Sequence, residues 1–430
     1  MSITARSLSF AIAVLLASWV PSATAEAQQA NVLPRSAEMP ELSGPGQFGV
    51  GTEFHEIVAG TRNIGLRVWH PAIVPNSATR VTYRHTRAVP NQRALHVTEP
   101  GIAVAEARPD TSAEFPLVLL SHGYGGWSEH MSRLGEVLAS KGYIVASIDH
   151  RDPPFHDGAS FAMSFGSVLL NRAADQQLVL RELLARKRLA PAIAAQLDTA
   201  SVGLIGFSMG GYGALTTAGV PIDQAALAYA LMPLAMRAAL PSPDPALASR
   251  IKAVVALAPW GAQPGAAVWQ SADLARLQTP LLLVDGDRDD VVDFKGGVQR
   301  LFANIRNSDR YLLVYREAAH NIAGNPVTLP SDADFSAVES VSDPVWRKER
   351  IEAINAHFIS AFLDVHLKGD IAKRSFLNVP TPVANDGQWP SAFGQQWGGM
   401  VAGDKEPGYW RGFQRRWARG LEMHHKAAGE

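Results

Sequence analysis

Residues 201–211 are Ser-Val-Gly-Leu-Ile-Gly-Phe-Ser-Met-Gly-Gly and contain the pattern G-x-S-x-G around Ser208. The apolar run before the pattern predicts a buried strand, and the small residues from Gly210 to Gly219 predict a helix after it. A serine on so tight a strand-to-helix turn has its hydroxyl exposed at the carboxyl edge of a sheet, and the flanking glycines avoid collisions with the crossing backbone. The pattern alone is common, and an ordinary glycine-rich turn is the alternative. The strand and helix around it favour a nucleophilic serine.

Apolar runs and helical patterns alternate on both sides of this turn. Continuous apolar runs, typical of strands buried on both faces of a parallel sheet, lie at 116–121, 143–148, 201–206, 253–257, 280–284 and 311–315. Helical patterns lie at 128–141, 167–188, 294–305 and 345–367. Short strands at 54–58 and 66–70 predict an antiparallel hairpin ahead of them. The sequence therefore predicts an α/β fold with a mostly parallel, doubly wound sheet and an N-terminal antiparallel β extension.

The composition narrows the classes of function. The chain has 430 residues, of which 47% are hydrophobic and 18% charged, the balance of a globular protein. It contains no cysteine, which excludes disulfides, cysteine-ligated zinc, iron–sulfur clusters and a thiolate nucleophile. A net charge of −1 provides no long-range attraction for polyanions, so we do not expect nucleic acid as a partner. We expect neither a cofactor nor a bound metal.

The first 25 residues have the parts of a secretory signal peptide. Arg6 precedes an apolar run from Leu8 to Val20, and Ser22-Ala23-Thr24-Ala25 supplies a small-residue cleavage site. The run is shorter than the ~20 residues that a membrane-spanning helix needs. We therefore expect an exported protein, periplasmic or secreted, with no integral membrane span. The sequence leaves its oligomeric state open.

The rest of the chain shows no internal repeat and no linker that divides it. Residues 26–50 are rich in Pro, Gly, Ser and Ala and predict an extended segment. We expect one catalytic domain over 51–370 and a tail over 371–430 that packs on it. Within the domain, the Ala- and Leu-rich residues 222–249 carry several prolines and predict either a small helical cap over an acyl pocket or a packed helix.

A serine nucleophile needs a general base, and the base needs an orienting carboxylate. The strand at 280–284 is followed by four candidate acids, Asp285, Asp287, Asp289 and Asp290. The strand at 311–315 is followed by His320, the only histidine between these aspartates and the final long helix. Both loops leave the sheet at the same edge as the serine, in the order Ser, acid, His that one class of serine hydrolases uses. We interpret this histidine as the base; a surface-loop histidine is the alternative.

The oxyanion of a tetrahedral intermediate needs two backbone N–H donors, and the loss of one costs ~10²–10³ in rate. Met209 directly follows the serine and offers the first donor. The strand at 116–121 is followed by the turn His122-Gly123-Tyr124-Gly125-Gly126, whose glycines let the backbone approach a substrate closely. We assign the second donor to the N–H of Tyr124. A simple glycine-rich turn is the alternative.

Several motifs together resemble the α/β-hydrolase superfamily. From about Thr52 onward, the chain is most similar to the platelet-activating-factor acetylhydrolase and predicted dienelactone hydrolase group of secreted bacterial serine esterases. The motifs are PLVLLSHGYGG (116–126), SIDHRD (147–152), GLIGFSMGG (203–211), VVALAPWG (254–261), LLLVDGDRDDVV (281–292), AAHN (318–321) and INAHFISAFLDVHLKGD (354–370).

The resemblance implies an α/β-hydrolase fold and a role for each triad member. Ser208 is then the nucleophile, His320 the base and Asp289 the acid, because the superfamily places the acid last in a G-x-x-D motif. Asp287 and Asp290 remain competitors. Dienelactone hydrolases attack with a cysteine, which this chain lacks, so their substrate is not implied.

Tyr124, His150 and Trp260 are candidates for the wall of the substrate pocket. His150 lies in the loop from Asp149 to Asp157, whose acids and histidines also suit a metal. Because this loop contains prolines and leaves the active edge of the sheet, we interpret it as a pocket wall, with a metal site as the alternative.

The tail contains Trp397, Trp410 and Trp417, the last two beside several arginines. Basic residues among tryptophans occur in nucleic-acid and membrane-interface sites. At a net charge near zero, we instead expect them to fix the tail to the domain.

Three hypotheses of function follow. The first is a secreted serine hydrolase that cleaves small-molecule carboxylic esters through an acyl-enzyme. The second is an amide or peptide hydrolase with the same triad, and the third is a catalytically silent module that binds a lipid or partner. Labelling by a fluorophosphonate distinguishes the silent module from the two enzymes.

Overall fold

The computed structural model describes residues 36–87, 94–230, 232–387, 410–414 and 416–430. The expected signal peptide and Trp397 lie outside the described residues. Across the described ranges, no helix is long and apolar enough to span a membrane.

Strands in the described residues form one large sheet and one two-stranded sheet. They are β1 (Gly49–Ala59), β2 (Arg62–Ile73), β3 (Thr82–Arg87), β4 (Leu95–Pro100), β5 (Val104–Ala105), β6 (Arg108–Pro109), β7 (Phe115–Ser121), β8 (Ile144–Asp149), β9 (Leu197–Phe207), β10 (Ile251–Leu257), β11 (Leu281–Gly286), β12 (Arg310–Tyr315) and β13 (Leu421–Lys426).

The large sheet has the order β13-β12-β11-β10-β9-β7-β8-β2-β1-β5, with β6 paired to β2. The six strands from β12 to β8 are mutually parallel, while β13 and the β1–β2 hairpin are antiparallel. Every residue of β7, β11 and β12 is buried, which explains the apolar runs in the middle of each strand. The predicted α/β class, mostly parallel sheet and N-terminal antiparallel extension are confirmed.

The connections around β7 create the crevice that holds the site. The chain passes from β7 to β8 on one side and then crosses to β9 on the other side of β7. Where successive connections leave a sheet in opposite directions, a crevice opens at the carboxyl ends of the strands. The turn that begins at His122 follows β7, and Ser208 follows β9, so both flank this crevice.

Helices cover both faces of the sheet, with α1 packed against α10 and α2 against α4. They are α1 (Ser132–Ser140), α2 (Gly158–Leu184), α3 (Pro191–Ala195), α4 (Met209–Thr217), α5 (Leu234–Ala238), α6 (Pro245–Ala248), α7 (Ser271–Leu274), α8 (Gln299–Asn304), α9 (Phe335–Val341), α10 (Lys348–Leu367) and α11 (Arg374–Leu377). Short 3-10 helices lie at Glu41–Ser43, Leu227–Tyr229, Ile371–Lys373 and Ala384–Asp386, and a π-helical turn at Phe294–Val298.

Helix α2 begins nine residues before its predicted start at residue 167. The cause is a capping box, in which the Asp157 carboxylate accepts the N–H of Ser160 at 2.8 Å and the Ser160 hydroxyl accepts the N–H of Asp157 at 3.0 Å. These bonds satisfy donors at the helix start, so the helix extends out over the crevice. Its first turns carry aromatic residues to the candidate site.

The segment 222–249 forms three short helical pieces that are tied to the neighbouring helices. The Tyr229 hydroxyl lies 3.3 Å from the Tyr212 hydroxyl on α4, and Gln177 on α2 donates to the Ser242 carbonyl at 2.9 Å. Leu234 is 80% exposed. The segment therefore combines a packed side with an apolar outer side.

The tail supplies an edge strand of the large sheet. Strand β13 pairs antiparallel with β12 along six residues, from Leu421 opposite Tyr315 to Lys426 opposite Arg310. Trp410 is buried, and the Arg350 guanidinium lies over the rings of both Trp346 and Trp417. Arg350 also donates to the Trp417 carbonyl at 2.9 Å. In this part of the chain, the aromatic and basic residues join the tail to α10.

Candidate active site

Ser208 lies between β9 and α4 in a strained backbone conformation, with φ 51° and ψ −113°. Its N–H donates to the Leu257 carbonyl at 2.9 Å, and its carbonyl accepts the N–H of Trp260 at 3.1 Å. A Cβ on Gly206 would lie 2.2 Å from the Gly210 carbonyl oxygen, and one on Gly210 would lie 2.0 Å from the Ser121 carbonyl oxygen. The turn therefore closes only because both flanking residues are glycines, as the sequence predicts.

Ser208, His320 and Asp289 form a continuous chain of hydrogen bonds. The Ser208 Oγ lies 3.1 Å from the His320 Nε2, and the His320 Nδ1 lies 2.6 Å from the Asp289 Oδ2. Ser208 is 7% exposed, so most of the residue is enclosed. This geometry lets the imidazole accept the serine proton while the carboxylate stabilises the imidazolium that forms.

Backbone donors hold Asp289 in position. Its Oδ1 accepts the N–H groups of Val291 at 2.8 Å and Val292 at 3.0 Å, which leaves Oδ2 to face the imidazole. Burial acts to raise the pKa of Asp289, but the hydrogen bond and charge of His320, together with hydrogen bonds from the Val292 N–H and Asp285, hold that pKa below its usual range. Asp289 is thus kept ionised beside the imidazole.

The three other acids of this loop lie elsewhere. Asp287 accepts the N–H of Glu317 at 2.6 Å, and Asp290 is exposed. Asp285 is fully buried at the end of β11, where burial and the neighbouring Asp289 raise its pKa well above the usual range. Of the four predicted candidates, the structure brings Asp289 to the histidine.

The turn after β7 lies directly beside Ser208. A Cβ added to Gly123 would lie 3.3 Å from the Ser208 Cβ. The turn closes where the Gly126 N–H donates to the Gly123 carbonyl at 3.2 Å, and Gly125 adopts a φ of 67°, which glycine reaches without strain. The turn that contains Tyr124 therefore lies next to the serine, as does the first turn of α4, which begins at Met209.

Aromatic rings form one wall next to the serine. The Tyr124 ring stacks on Phe155 at 5.8 Å between centroids, Phe161 stacks on Phe165 at 5.6 Å, and Phe165 meets Trp260 edge-on at 5.3 Å. Two of the three predicted pocket residues, Tyr124 and Trp260, belong to this aromatic wall. The phenylalanines carried by α2 and the loop before it were not among the predicted site residues.

His150 does not line the crevice, which corrects its predicted place in the pocket wall. Its imidazole is buried, with Nε2 at 2.8 Å from the Ser121 Oγ and Nδ1 at 2.9 Å from an Asp175 carboxylate oxygen. The acids of the same loop also face protein groups, because Asp152 pairs with Arg172 at 2.7 Å and Asp157 caps α2. These contacts account for His150, Asp152 and Asp157, three of the residues that suggested a metal.

The pair of Arg172 and Asp152 was missed at the level of sequence. Arg172 is 1% exposed, and Asp152 accepts both its guanidinium and the N–H of Gly125. One signal was present, because Arg172 lies four residues after Val168 and three after Leu169, on the apolar side of α2. A charge at that position of a helix indicates a buried partner.

Comparison with known proteins supports the resemblance over part of the chain. The family model described as platelet-activating factor acetylhydrolase, isoform II, matches residues 82–187. Platelet-activating factor acetylhydrolases from Cavia porcellus, Bos taurus and Canis lupus familiaris are 45%, 45% and 48% identical to this chain over 42 residues. That stretch is about a tenth of this chain and a tenth of each relative's length. The likeness and the fold together make this an α/β-hydrolase-type protein similar to platelet-activating factor acetylhydrolases.

Proposed function

We propose that the protein is a serine hydrolase that cleaves carboxylic esters through an acyl-enzyme. One observation carries the proposal: the hydrogen-bonded chain from Ser208 through His320 to Asp289, set at the carboxyl edge of the sheet beside a glycine-rich turn. The similarity to platelet-activating factor acetylhydrolases supports the ester class, and the residues that the family model matches, 82–187, include the turn after β7 and precede the serine.

In the proposed mechanism the Ser208 oxygen attacks the ester carbonyl carbon while the His320 Nε2 takes the hydroxyl proton. The carbonyl oxygen becomes an oxyanion, which accepts the N–H groups of Met209 and Tyr124. The C–O bond to the alcohol then breaks, and the imidazolium gives its proton to the departing oxygen. Water attacks the acyl-enzyme with the same histidine as base, which frees the acid and restores the serine. Asp289 keeps the imidazole in the required tautomer throughout.

The substrate that we propose is an uncharged ester with an apolar portion. The aromatic wall offers stacked rings beside the nucleophile, and Phe161 at its rim is 40% exposed. The curated relatives are named as acetylhydrolases, which makes acetyl esters the first class to test. An uncharged ester also suits a chain whose net charge is −1.

Export is part of the proposal. It rests on Arg6, the apolar run after it and the Ala-Thr-Ala site that ends at Ala25. N-terminal sequencing of protein secreted by a bacterial host tests it, with a mature N-terminus at Glu26 as the expected result.

The test of the activity is turnover of 4-nitrophenyl esters of increasing acyl length by the full chain and by Ser208→Ala. We expect the substitution to lower turnover by up to ~10⁶ without loss of the fold. A fluorophosphonate probe should modify the wild type at Ser208, and Ser112→Ala, which changes an exposed serine far from the triad, should label like the wild type. Wild-type turnover by Ser208→Ala would contradict the proposal. Amidase activity without esterase activity would favour the amide hydrolase instead.

A further inference from the structure

We propose that the buried pair of Arg172 and Asp152 sets the oxyanion hole, by fixing the peptide between Gly123 and Tyr124 so that the Tyr124 N–H faces Ser208. This proposal rests on the proposed function and assigns the two charged residues as positioning residues of that site. Neither residue touches Ser208, His320 or Asp289 in the hydrogen bonds described above.

The Gly123 carbonyl oxygen accepts three hydrogen bonds. The donors are the Arg172 Nη2 at 3.4 Å, the His122 Nδ1 at 2.6 Å and the Gly126 N–H at 3.2 Å. Three donors on one oxygen fix the direction of this C=O bond. In a planar trans peptide the C=O and N–H bonds point in opposite directions, so the same contacts fix the Tyr124 N–H.

Asp152 holds the next peptide of the turn, which joins Tyr124 to Gly125. The Gly125 N–H donates at 2.9 Å to the Asp152 Oδ2, which is also the oxygen that accepts the Arg172 Nη2 at 2.7 Å. Asp152 and Arg172 thus hold the peptide groups on both sides of Tyr124. The Tyr124 side chain is anchored as well, because its hydroxyl donates to the Ser164 Oγ at 2.7 Å.

Burial and mutual pairing hold the side chains of Arg172 and Asp152 in one arrangement. The side chain of Arg172 is 0% exposed and that of Asp152 is 6% exposed. Burial acts to raise the pKa of Asp152, but the Arg172 charge and smaller contributions, among them the Gly125 N–H, hold that pKa below its usual range. Asp152 therefore stays ionised, and separating two buried charges that hold each other is costly. Rigid donors that need no reorganisation stabilise an oxyanion most strongly.

His122 completes the arrangement in a neutral form. The backbone N–H of His150 donates to the His122 Nε2 at 3.2 Å. The proton of the His122 imidazole therefore lies on Nδ1, which donates to the Gly123 carbonyl. Burial, together with the Arg172 charge, lowers the pKa of His122 well below its usual range. The imidazole is therefore held in its neutral form, with the Nδ1 proton on the Gly123 carbonyl.

The experiment compares Arg172→Met, Arg172→Lys and Asp152→Asn with the wild type. A positioning role predicts a fall in kcat of about 10²-fold, the size of the loss of one oxyanion donor, with KM changed by less than about threefold. The inhibition constant of a trifluoromethyl ketone, which forms an oxyanion on Ser208, should rise in step with the fall in kcat/KM. Arg172→Lys keeps the charge beside Asp152 and should recover part of the loss.

The matched control is Arg62→Met, which removes a second arginine of the same buried region. Arg62 pairs with Asp175 at 2.5 Å and does not contact the turn in the hydrogen bonds described here. We expect the kcat of Arg62→Met to stay within about threefold of the wild-type value. Circular dichroism of each variant tests whether it is folded. If Arg172→Met does not fold, Asp152→Asn replaces it in the comparison. This variant loses the negative charge that pairs with Arg172 but keeps a side-chain oxygen that can accept the Gly125 N–H.

The outcomes separate this inference from the function itself. A wild type without ester turnover or labelling would overturn the proposed function. An active wild type with folded Arg172 and Asp152 variants of unchanged kcat would overturn the positioning role alone. The positioning role would also be overturned if kcat fell while the trifluoromethyl ketone bound as tightly as to the wild type. A fall in kcat of the same size in Arg62→Met would overturn it as well.

Discussion

The Asp289 Oδ2 and the His320 Nδ1 lie 2.6 Å apart, although the two residues are separated by 31 positions in the chain. Their loops follow β11 and β12, which are adjacent parallel strands, so both loops leave the same edge of the sheet. The other carboxylate oxygen of Asp289 is occupied by backbone N–H groups. The imidazole therefore has a partner of fixed position, and its Nε2 is turned to Ser208.

We expect Asp289→Asn to lower kcat by about 10⁴-fold, as the equivalent change does in a serine protease triad. The amide nitrogen donates where the carboxylate accepted, so the His320 proton moves to Nε2 and the imidazole no longer accepts from Ser208. Kinetics with a 4-nitrophenyl ester measure the loss. Asp287→Asn, two residues away, is the matched control and should stay within a few-fold of wild type. A larger loss in the control would assign the acid to Asp287.

Phe161→Ala should lower kcat/KM for octanoyl esters by about five- to tenfold and leave acetyl esters nearly unchanged. The ring is at the rim of the aromatic wall, where a long acyl chain would contact it and an acetyl group would not reach. Loss of some 40–60 Å² of apolar contact corresponds to about 1–1.5 kcal/mol. Met163→Ala is the control, because this side chain is 73% exposed on the same helix and makes none of the ring contacts. Equal losses for both esters would contradict the role of the wall.

The nucleophile, base and oxyanion turn were predictable because each has a local signal. A buried parallel strand is a continuous apolar run, and the residues that follow such runs meet at one edge of the sheet. That rule brings Ser208, His320 and the turn at His122 together without knowledge of the strand order. It does not choose among four aspartates within six residues, since the choice depends on which carboxylate the loop turns toward the imidazole.

Other elements escaped prediction because their partners are distant or their burial is masked by polarity. Strands β3 (TYRHTR) and β13 (LEMHHK) are mostly polar, and backbone pairing with another strand decides their conformation. Arg172, Asp152 and His150 have the residue types of a surface or a metal site. They are nevertheless enclosed, because Arg172 pairs with Asp152 and the His150 imidazole bonds to Ser121 and Asp175. Apart from the position of Arg172 on the apolar side of α2, these buried polar residues leave no periodic signal in the sequence.

Strand β13 should be part of the core rather than a covering of it. Met423 is 2% exposed and lies opposite Leu313, whereas the next residue, His424, points to the other side and is partly exposed. We expect Met423→Ser to lower the free energy of unfolding by about 3 kcal/mol, within the range for core truncations. His424→Ser is the matched control on the same strand and should change it by less than about 1 kcal/mol. Urea unfolding followed by fluorescence measures both, and equal small effects would show a tail that is only loosely attached.

Glu352 should make the fold less stable as the pH rises through neutrality. Burial raises its pKa from 4.5 to about 7, against the opposing effect of Arg133, whose Nη1 lies 3.3 Å away, and with a further increase from the nearby Glu99. Between pH 4.5 and about pH 7 the folded protein keeps a proton on Glu352 that the unfolded chain releases. The contribution of Glu352 to the free energy of unfolding is therefore fully present below about pH 4.5 and is lost as the pH rises through about 7.

Glu352→Gln has no proton to lose, and an amide of the same shape remains beside Arg133. The difference in the free energy of unfolding between this variant and wild type should therefore shift in favour of the variant by on the order of 2 kcal/mol when the pH is raised from 5 to 8. Urea unfolding at both pH values gives the difference. Glu349→Gln, an exposed glutamate three positions earlier on α10, should follow the wild-type pH dependence. Parallel curves for wild type and Glu352→Gln would show that Glu352 is already ionised in the folded protein at pH 5.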